Sequence, residues 1–234
     1  MLRIKPATGE IYHLYNRGVE KRKVFLSDQD RLRFTHSLLV FNDAEPTLNS
    51  SRHLIEVGLR SRLIQSRLRK EEKKPLVEIY AFCLMPNHFH LMVKQLKEGG
   101  ITEFMRKLGT GYTNYFNLKY QRVGSLFQGK YKLVLLEEEA HFIHLPYYIH
   151  LNPLDLNFPN WKKGNPKDVR NMITSLKKYR WSSHLDYCDI QNFPSIIQQK
   201  FLSQFFGGSQ KYQKEIIRWL RETNVEEISE ITLE

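Results

Sequence analysis

Two β-rich runs, Val77–Leu84 (VEIYAFCL) and His88–Lys94 (HFHLMVK), flank Met85-Pro86-Asn87. A short break built on Pro-Asn turns a chain back on itself, so the pair is expected to form an antiparallel hairpin. That hairpin ties the fold to a sheet with antiparallel neighbours. Glu10–Arg17 (EIYHLYNR) adds a strand in which Tyr12, Leu14 and Asn16 alternate against Ile11, His13 and Tyr15, ended by Gly18. Lys132–Leu136 reads as another. Apolar residues at helical spacing predict helices over Asp28–Phe41, capped by Ser27 or Asp28, and over Thr102–Leu118 and Glu139–Leu151. Asn152-Pro153 closes the last of these, because proline cannot continue a helix. Strands and helices are interspersed, so the class is α+β around a mainly antiparallel sheet. Beyond about residue 156, a turn-rich stretch at 158–166 and two late helices (Ser195–Phe205, Gln210–Glu222) predict a smaller C-terminal region.

The chain has 234 residues, 41% hydrophobic and 12% aromatic, which is enough to build a core and argues against disorder. No run approaches ~18 apolar residues, and the N-terminal stretch lacks the apolar segment of a signal peptide. Two cysteines, Cys83 and Cys188, cannot make a disulfide framework, so a reducing compartment is the expectation. Thirty-six Lys and Arg against twenty-five Asp and Glu leave a net charge of +11. Nucleic acid, acidic lipid and mere solubility are all compatible with that charge.

Its distribution narrows the choice. Residues 51–74 hold eight Lys/Arg with Leu54, Ile55, Leu59, Leu63, Ile64 and Leu68 at helical spacing, a basic amphipathic helix. A third basic run lies at 162–180, with Asp168 as its only acid, and the chain ends acidic through Glu226, Glu227, Glu230 and Glu234. Between them, residues 106–132 carry Arg106, Lys107, Lys119, Arg122, Lys130 and Lys132 with no carboxylate. Tyr112, Tyr115, Phe116, Tyr120, Phe127 and Tyr131 are interleaved there. Cations for phosphates beside flat rings for bases suit a single-strand-binding surface. Some of these rings also fit a helix core face.

His88-Phe89-His90 is the sharpest chemical feature. In a strand, residues i and i+2 point to the same face, so both imidazoles project together as a pair of metal ligands. The helix over 139–152 offers Tyr148 and Asn152 one turn apart on one face. An Asn carbonyl would complete a neutral nitrogen/oxygen set that suits Mg²⁺ or Mn²⁺ better than a structural zinc. The Tyr148 phenol would then sit beside a metal-polarised phosphate as a candidate nucleophile. The plain alternative is a buried ring, and Tyr147 next door points about 100° away around the helix.

Taken together, MPNHFHLMV, Tyr148-Ile-His-Leu-Asn152-Pro153, YNRG (Tyr15–Gly18), GSLFQGKYK (Gly124–Lys132) and YRWSSH (Tyr179–His184) resemble the single-tyrosine HUH transposases. More narrowly, they resemble the REP-associated tyrosine transposase branch of the IS200-like group. The resemblance runs in order over roughly residues 10–185, with Asn152 standing where other branches carry Gln. It implies a ferredoxin-like or RRM-like core with the histidines on a central strand and the tyrosine helix laid against it. It also implies metal-dependent cleavage and rejoining of single-stranded DNA near hairpins, with Tyr148 as the nucleophile of a 5′-phosphotyrosine intermediate. His88, His90 and Asn152 would hold Mg²⁺ or Mn²⁺. Arg17, Arg106, Lys107, Lys119, Arg122, Lys130 and Lys132 are candidates for DNA contact. On this reading residues 1–156 form the catalytic domain, with 44–74 as a basic helical insertion, and 157–234 a C-terminal DNA-binding extension. A cytoplasmic, nucleoid-associated monomer or homodimer is expected, with no membrane contact. Two other functions share the same residues: a catalytically silent hairpin-binding protein, and a metal-dependent hydrolase acting through water.

Overall fold

The computed structural model describes residues 5–44, 74–137, 139–163 and 166–222. Apart from Lys74, the basic stretch expected at 51–74 lies outside the described residues, as does the acidic end. In chain order the elements are β1 (Ile11–Arg17), α1 (Asp28–Val40), β2 (Val77–Met85), β3 (His88–Gln95) and α2 (Gly100–Lys119). They continue with β4 (Lys132–Leu135), α3 (Glu139–Leu151), α4 (Val169–Lys178), α5 (His184–Tyr187), α6 (Gln199–Phe206) and α7 (Ser209–Glu222).

The four strands form one antiparallel sheet in the order β2-β3-β1-β4. Met85 pairs with His88 across the two-residue Pro86-Asn87 loop, so the hairpin forms as expected. In the β1–β3 ladder Tyr15 lies opposite His90 and Arg17 opposite His88. Because side chains alternate along a strand, His13, Tyr15, Arg17, His88 and His90 share one face. Tyr12, Leu14, Phe89 and Leu91 are buried on the other.

Helices α1 and α2 cover that second face. Phe34 of α1 packs 4.9 Å from Phe89 and edge-on to Tyr112 of α2 at 5.0 Å, burying a large apolar area where truncation costs several kcal/mol per ring. Ser27 caps α1 in a reciprocal box: its hydroxyl accepts from Asp30 N, while its own N–H donates to the Asp30 carboxylate. The first face is covered by α3, which places the 148 ring against β3.

Past Leu151 the chain continues as a 3₁₀ helix, Asn152–Leu156, rather than stopping at Asn152-Pro153. Pro153 sits in its first turn, where a missing N–H leaves no hydrogen bond broken. Two helices went unread in the sequence. In the sequence the Val169–Lys178 helix shows only as a run of charge, yet Asp168 caps it and Met172 and Leu176 are its buried face. The four-residue α5 is too short to show a period. The helix expected over Ser195–Phe205 begins only at Gln199, because Gln198 donates its N–H to Ile79 of β2 instead.

The segment 181–183 runs along the outer edge of β2. Leu84 N–H donates to Trp181 O at 2.9 Å and Ser183 N–H to Phe82 O at 3.0 Å, blunting an edge that would otherwise template aggregation. Trp161, Leu176, Tyr187, Leu202, Tyr212 and Trp219 join the same buried cluster as the sheet residues.

Candidate metal and nucleophile site

β3 brings His88 and His90 together with ring centroids 5.0 Å apart and planes at 88°. The 3₁₀ turn after α3 presents Asn152, whose Oδ1 lies 3.2 Å from His88 Nε2. His88 Nδ1 sits 2.7 Å from Asn87 Oδ1. A neutral imidazole donates through one nitrogen only. With Nδ1–H given to Asn87, the shorter contact, the Nε2 lone pair faces the carbonyl oxygen of Asn152. The fully buried Nδ2 of Asn152 has no hydrogen-bond partner among the described residues. Two imidazoles and a side-chain carbonyl oxygen brought together on one face are donors that could hold a divalent ion. Among the described residues no group of three or more His, Cys, Asp or Glu side chains could hold a metal. The set therefore depends on its amide member.

Tyr148 stands edge-on to His90, 5.5 Å between centroids, and 6.4 Å from His13. Its ring is 1% exposed. Lys162 Nζ lies 5.7 Å from the ring centroid and 2.8 Å from Asp155 Oδ2, while Asp155 Oδ1 accepts from Trp161 Nε1. Tyr147 turns the other way, parallel to Tyr212 at 6.1 Å, among α6 and α7. Burial, and secondarily the Glu215 carboxylate, push its phenol up to about 12. The two adjacent tyrosines thus occupy different environments.

The predicted DNA-contacting cations separate into three groups. Arg17 belongs with the histidines: it is opposite His88 in the ladder, and its buried Nε has no hydrogen-bond partner among the described residues. Exposed Lys132 of β4 pairs with Tyr15 of β1 and points to the same face. Arg106 and Lys130 line a groove of about 680 Å³ between α2 and the 124–131 loop, with Phe34, Phe89 and Phe127 among its walls. Asn16 and Phe89 place this groove on the opposite face of the sheet from the histidines. Lys107, Lys119 and Arg122 are engaged within the fold. Lys107 Nζ reaches Glu103 at 2.9 Å and the Asp43 carbonyl at 2.6 Å, and Arg122 Nη1 reaches Asn117 Oδ1 at 3.0 Å.

Lys119 pairs with Asp30 at 2.7 Å. Asp30 is fully buried and also accepts from Tyr115, Tyr120 and the backbone N–H groups of Leu26 and Ser27. Burial alone would raise its pKa. The Lys119 and Tyr120 hydrogen bonds outweigh burial and hold it below the ordinary carboxylate value. The carboxylate missing from 106–132 is thus supplied by α1, and the hydroxyls of Tyr115 and Tyr120 donate to it.

Sequence reasoning missed His13 and Lys162. The alternation of β1 already placed His13 on the face of Tyr15 and Arg17, which was the available signal. Lys162 had none, because its approach to Tyr148 depends on the turn after α3.

The fold and site define an α+β protein with a histidine pair on an antiparallel sheet beneath a tyrosine-bearing helix. Residues 48–152 match the model of the IS200-like transposase family. No curated protein matches the chain. Among solved structures, the chain resembles one described as a REP-associated tyrosine transposase bound to a REP hairpin. Identity there is 12% over 82% of this chain and 88% of that one, with a TM-score of 0.48. Among the described residues no helix is long and apolar enough to cross a membrane.

Proposed function

We propose that the protein is a metal-dependent single-strand DNA endonuclease and strand transferase that works through Tyr148. One observation carries this reading: His88 and His90 of β3, Tyr148 of α3 and Asn152 of the following 3₁₀ turn converge on one sheet face. A buried tyrosine needs no such company for packing.

In the reaction Tyr148 Oη bonds to the scissile phosphorus and the P–O3′ bond breaks. The phenol proton is lost, the departing O3′ takes one up, and a 5′-phosphotyrosine and a 3′-OH result. The ester retains the energy of the phosphodiester, so rejoining needs no ATP. A divalent ion held by His88, His90 and Asn152 would polarise the phosphate oxygens. Arg17, beside His88, supplies a guanidinium for the same phosphate. Because Tyr148 is covered in this state, DNA reaches its hydroxyl only when the packing over the ring opens.

The substrate proposed is single-stranded DNA with a hairpin, as the resemblance implies. The groove holding Arg106 and Lys130 has cations at its edge and aromatic walls, which suits backbone and base contacts away from the cutting centre. Residues 157–234 are proposed to extend the DNA-binding surface, and Mg²⁺ or Mn²⁺ is the proposed cofactor. Incubating the protein with hairpin-bearing oligonucleotides and Mn²⁺, then resolving covalent adducts on denaturing gels, tests the reading. Adduct in the wild type and none in Tyr148→Phe supports it. Hairpin binding with no cleavage on any substrate would favour a silent binding protein instead. Cleavage to free 5′-phosphate without adduct would favour a water-activating hydrolase.

A further inference from the structure

We infer that His13 is the positioning residue for the metal-binding imidazole of His90. The inference rests on the metal site proposed above and adds a residue to it. His13 Nε2 lies 2.9 Å from His90 Nδ1, with both side chains buried. The two rings stack at 5.1 Å with 21° between their planes, and Tyr15 lies 5.9 Å from His90 and 5.0 Å from His13. β1 and β3 are adjacent in the sheet, so backbone pairing fixes this contact.

The chemistry follows from proton counting. Two neutral imidazoles joined by one hydrogen bond have one donor and one acceptor nitrogen at the contact. If His13 donated, His90 Nδ1 would be the acceptor and the His90 proton would sit on Nε2. Nε2 would then have no lone pair to offer a cation. If His90 donates from Nδ1, Nε2 is the deprotonated nitrogen, and His13 accepts at its own Nε2 while carrying its proton on Nδ1. With the metal site proposed above, His13 is the acceptor that holds His90 in the ligating tautomer and fixes the ring plane, the task that a carboxylate, carbonyl or water more often performs beside a ligating histidine. An imidazole in that role adds no negative charge, so it does not repel a DNA phosphate brought to the same face.

The test uses the full chain with ¹⁵N-labelled histidine. Long-range ¹H–¹⁵N spectra of the metal-free protein read the His90 tautomer, and calorimetry reads Mn²⁺ affinity. The expected result is His90 protonated on Nδ1, with His13→Leu weakening Mn²⁺ binding about 10–100-fold. His13→Gln, whose carbonyl still accepts, is expected to keep the Nδ1–H tautomer and most of the affinity. A wild-type His90 protonated on Nε2 overturns the inference. So does a folded His13→Leu that binds Mn²⁺ as the wild type does. If the wild type takes up no Mn²⁺, the proposed metal site fails, and the metal-free tautomer still decides the role of His13.

Discussion

The Tyr148 ring stands at 83° to the His90 imidazole, 5.5 Å away, although the two residues lie on separate elements of the fold. This relationship sets Tyr148 over the histidine face from a helix, whereas Tyr15, 5.9 Å from His90, lies within the sheet beside it. Tyr148→Phe is expected to abolish the covalent adduct while changing stability by only about 1 kcal/mol, the net worth of one hydroxyl hydrogen bond. Adduct yield and urea denaturation, measured side by side, check this.

Tyr147→Phe is expected to leave adduct formation within about twofold of the wild type. Its ring packs against Tyr212 and Phe206, and a phenol raised to about 12 is a poor nucleophile at neutral pH. Adduct kinetics on the two single variants separate the neighbours.

Chelation by EDTA is expected to stop cleavage, and His88→Ala or His90→Ala to slow it by about 100-fold or more. Oligonucleotide binding through the opposite face should survive both treatments. An unaffected cleavage rate in EDTA would remove the metal from the reaction.

The cations of 106–132 are expected to divide by function. Lys119→Ala removes the cation from the buried Asp30 carboxylate, which keeps its tyrosine and backbone donors, and should cost about 1.5–3 kcal/mol of stability. Arg106→Ala and Lys130→Ala should leave the melting temperature near that of the wild type. Each should lower the salt dependence of oligonucleotide binding by about one phosphate contact. Thermal melts and binding isotherms at several salt concentrations read both effects.

Acid should loosen the C-terminal packing through His184. This ring is buried, with Nδ1 2.8 Å from Tyr212 Oη, and burial, then Lys177, lower its pKa from 6.5 to about 4. A histidine whose folded pKa is depressed stabilises the fold fully above its unfolded value. That contribution, roughly 3 kcal/mol, is lost as pH falls from about 6.5 towards 4. Urea midpoints across that window should fall in the wild type and fall less in His184→Gln.

The hairpin, the capped first helix and the helix over 100–119 were legible because period, cap and turn chemistry act locally. The pairing of His88 with His90 was legible for the same reason. Asn152 and Tyr148 were readable as a helix face, but their meeting with β3 depends on tertiary packing, and the resemblance supplied it first. The charge of 106–132 misled in part. Sequence shows a segment without carboxylates, whereas space gives it Asp30 from α1, more than seventy residues away. His13 was overlooked because its partner lies on a strand 77 positions distant, and register cannot be read from one strand alone.

The most direct measurement is peptide mapping of the protein–DNA adduct by mass spectrometry, after incubation with a hairpin-bearing single strand and Mn²⁺. A single modified peptide is expected, with the nucleotide linked through a 5′-phosphate to Tyr148. Modification at Tyr147 or another residue, or cleaved DNA with no linked peptide, would contradict it.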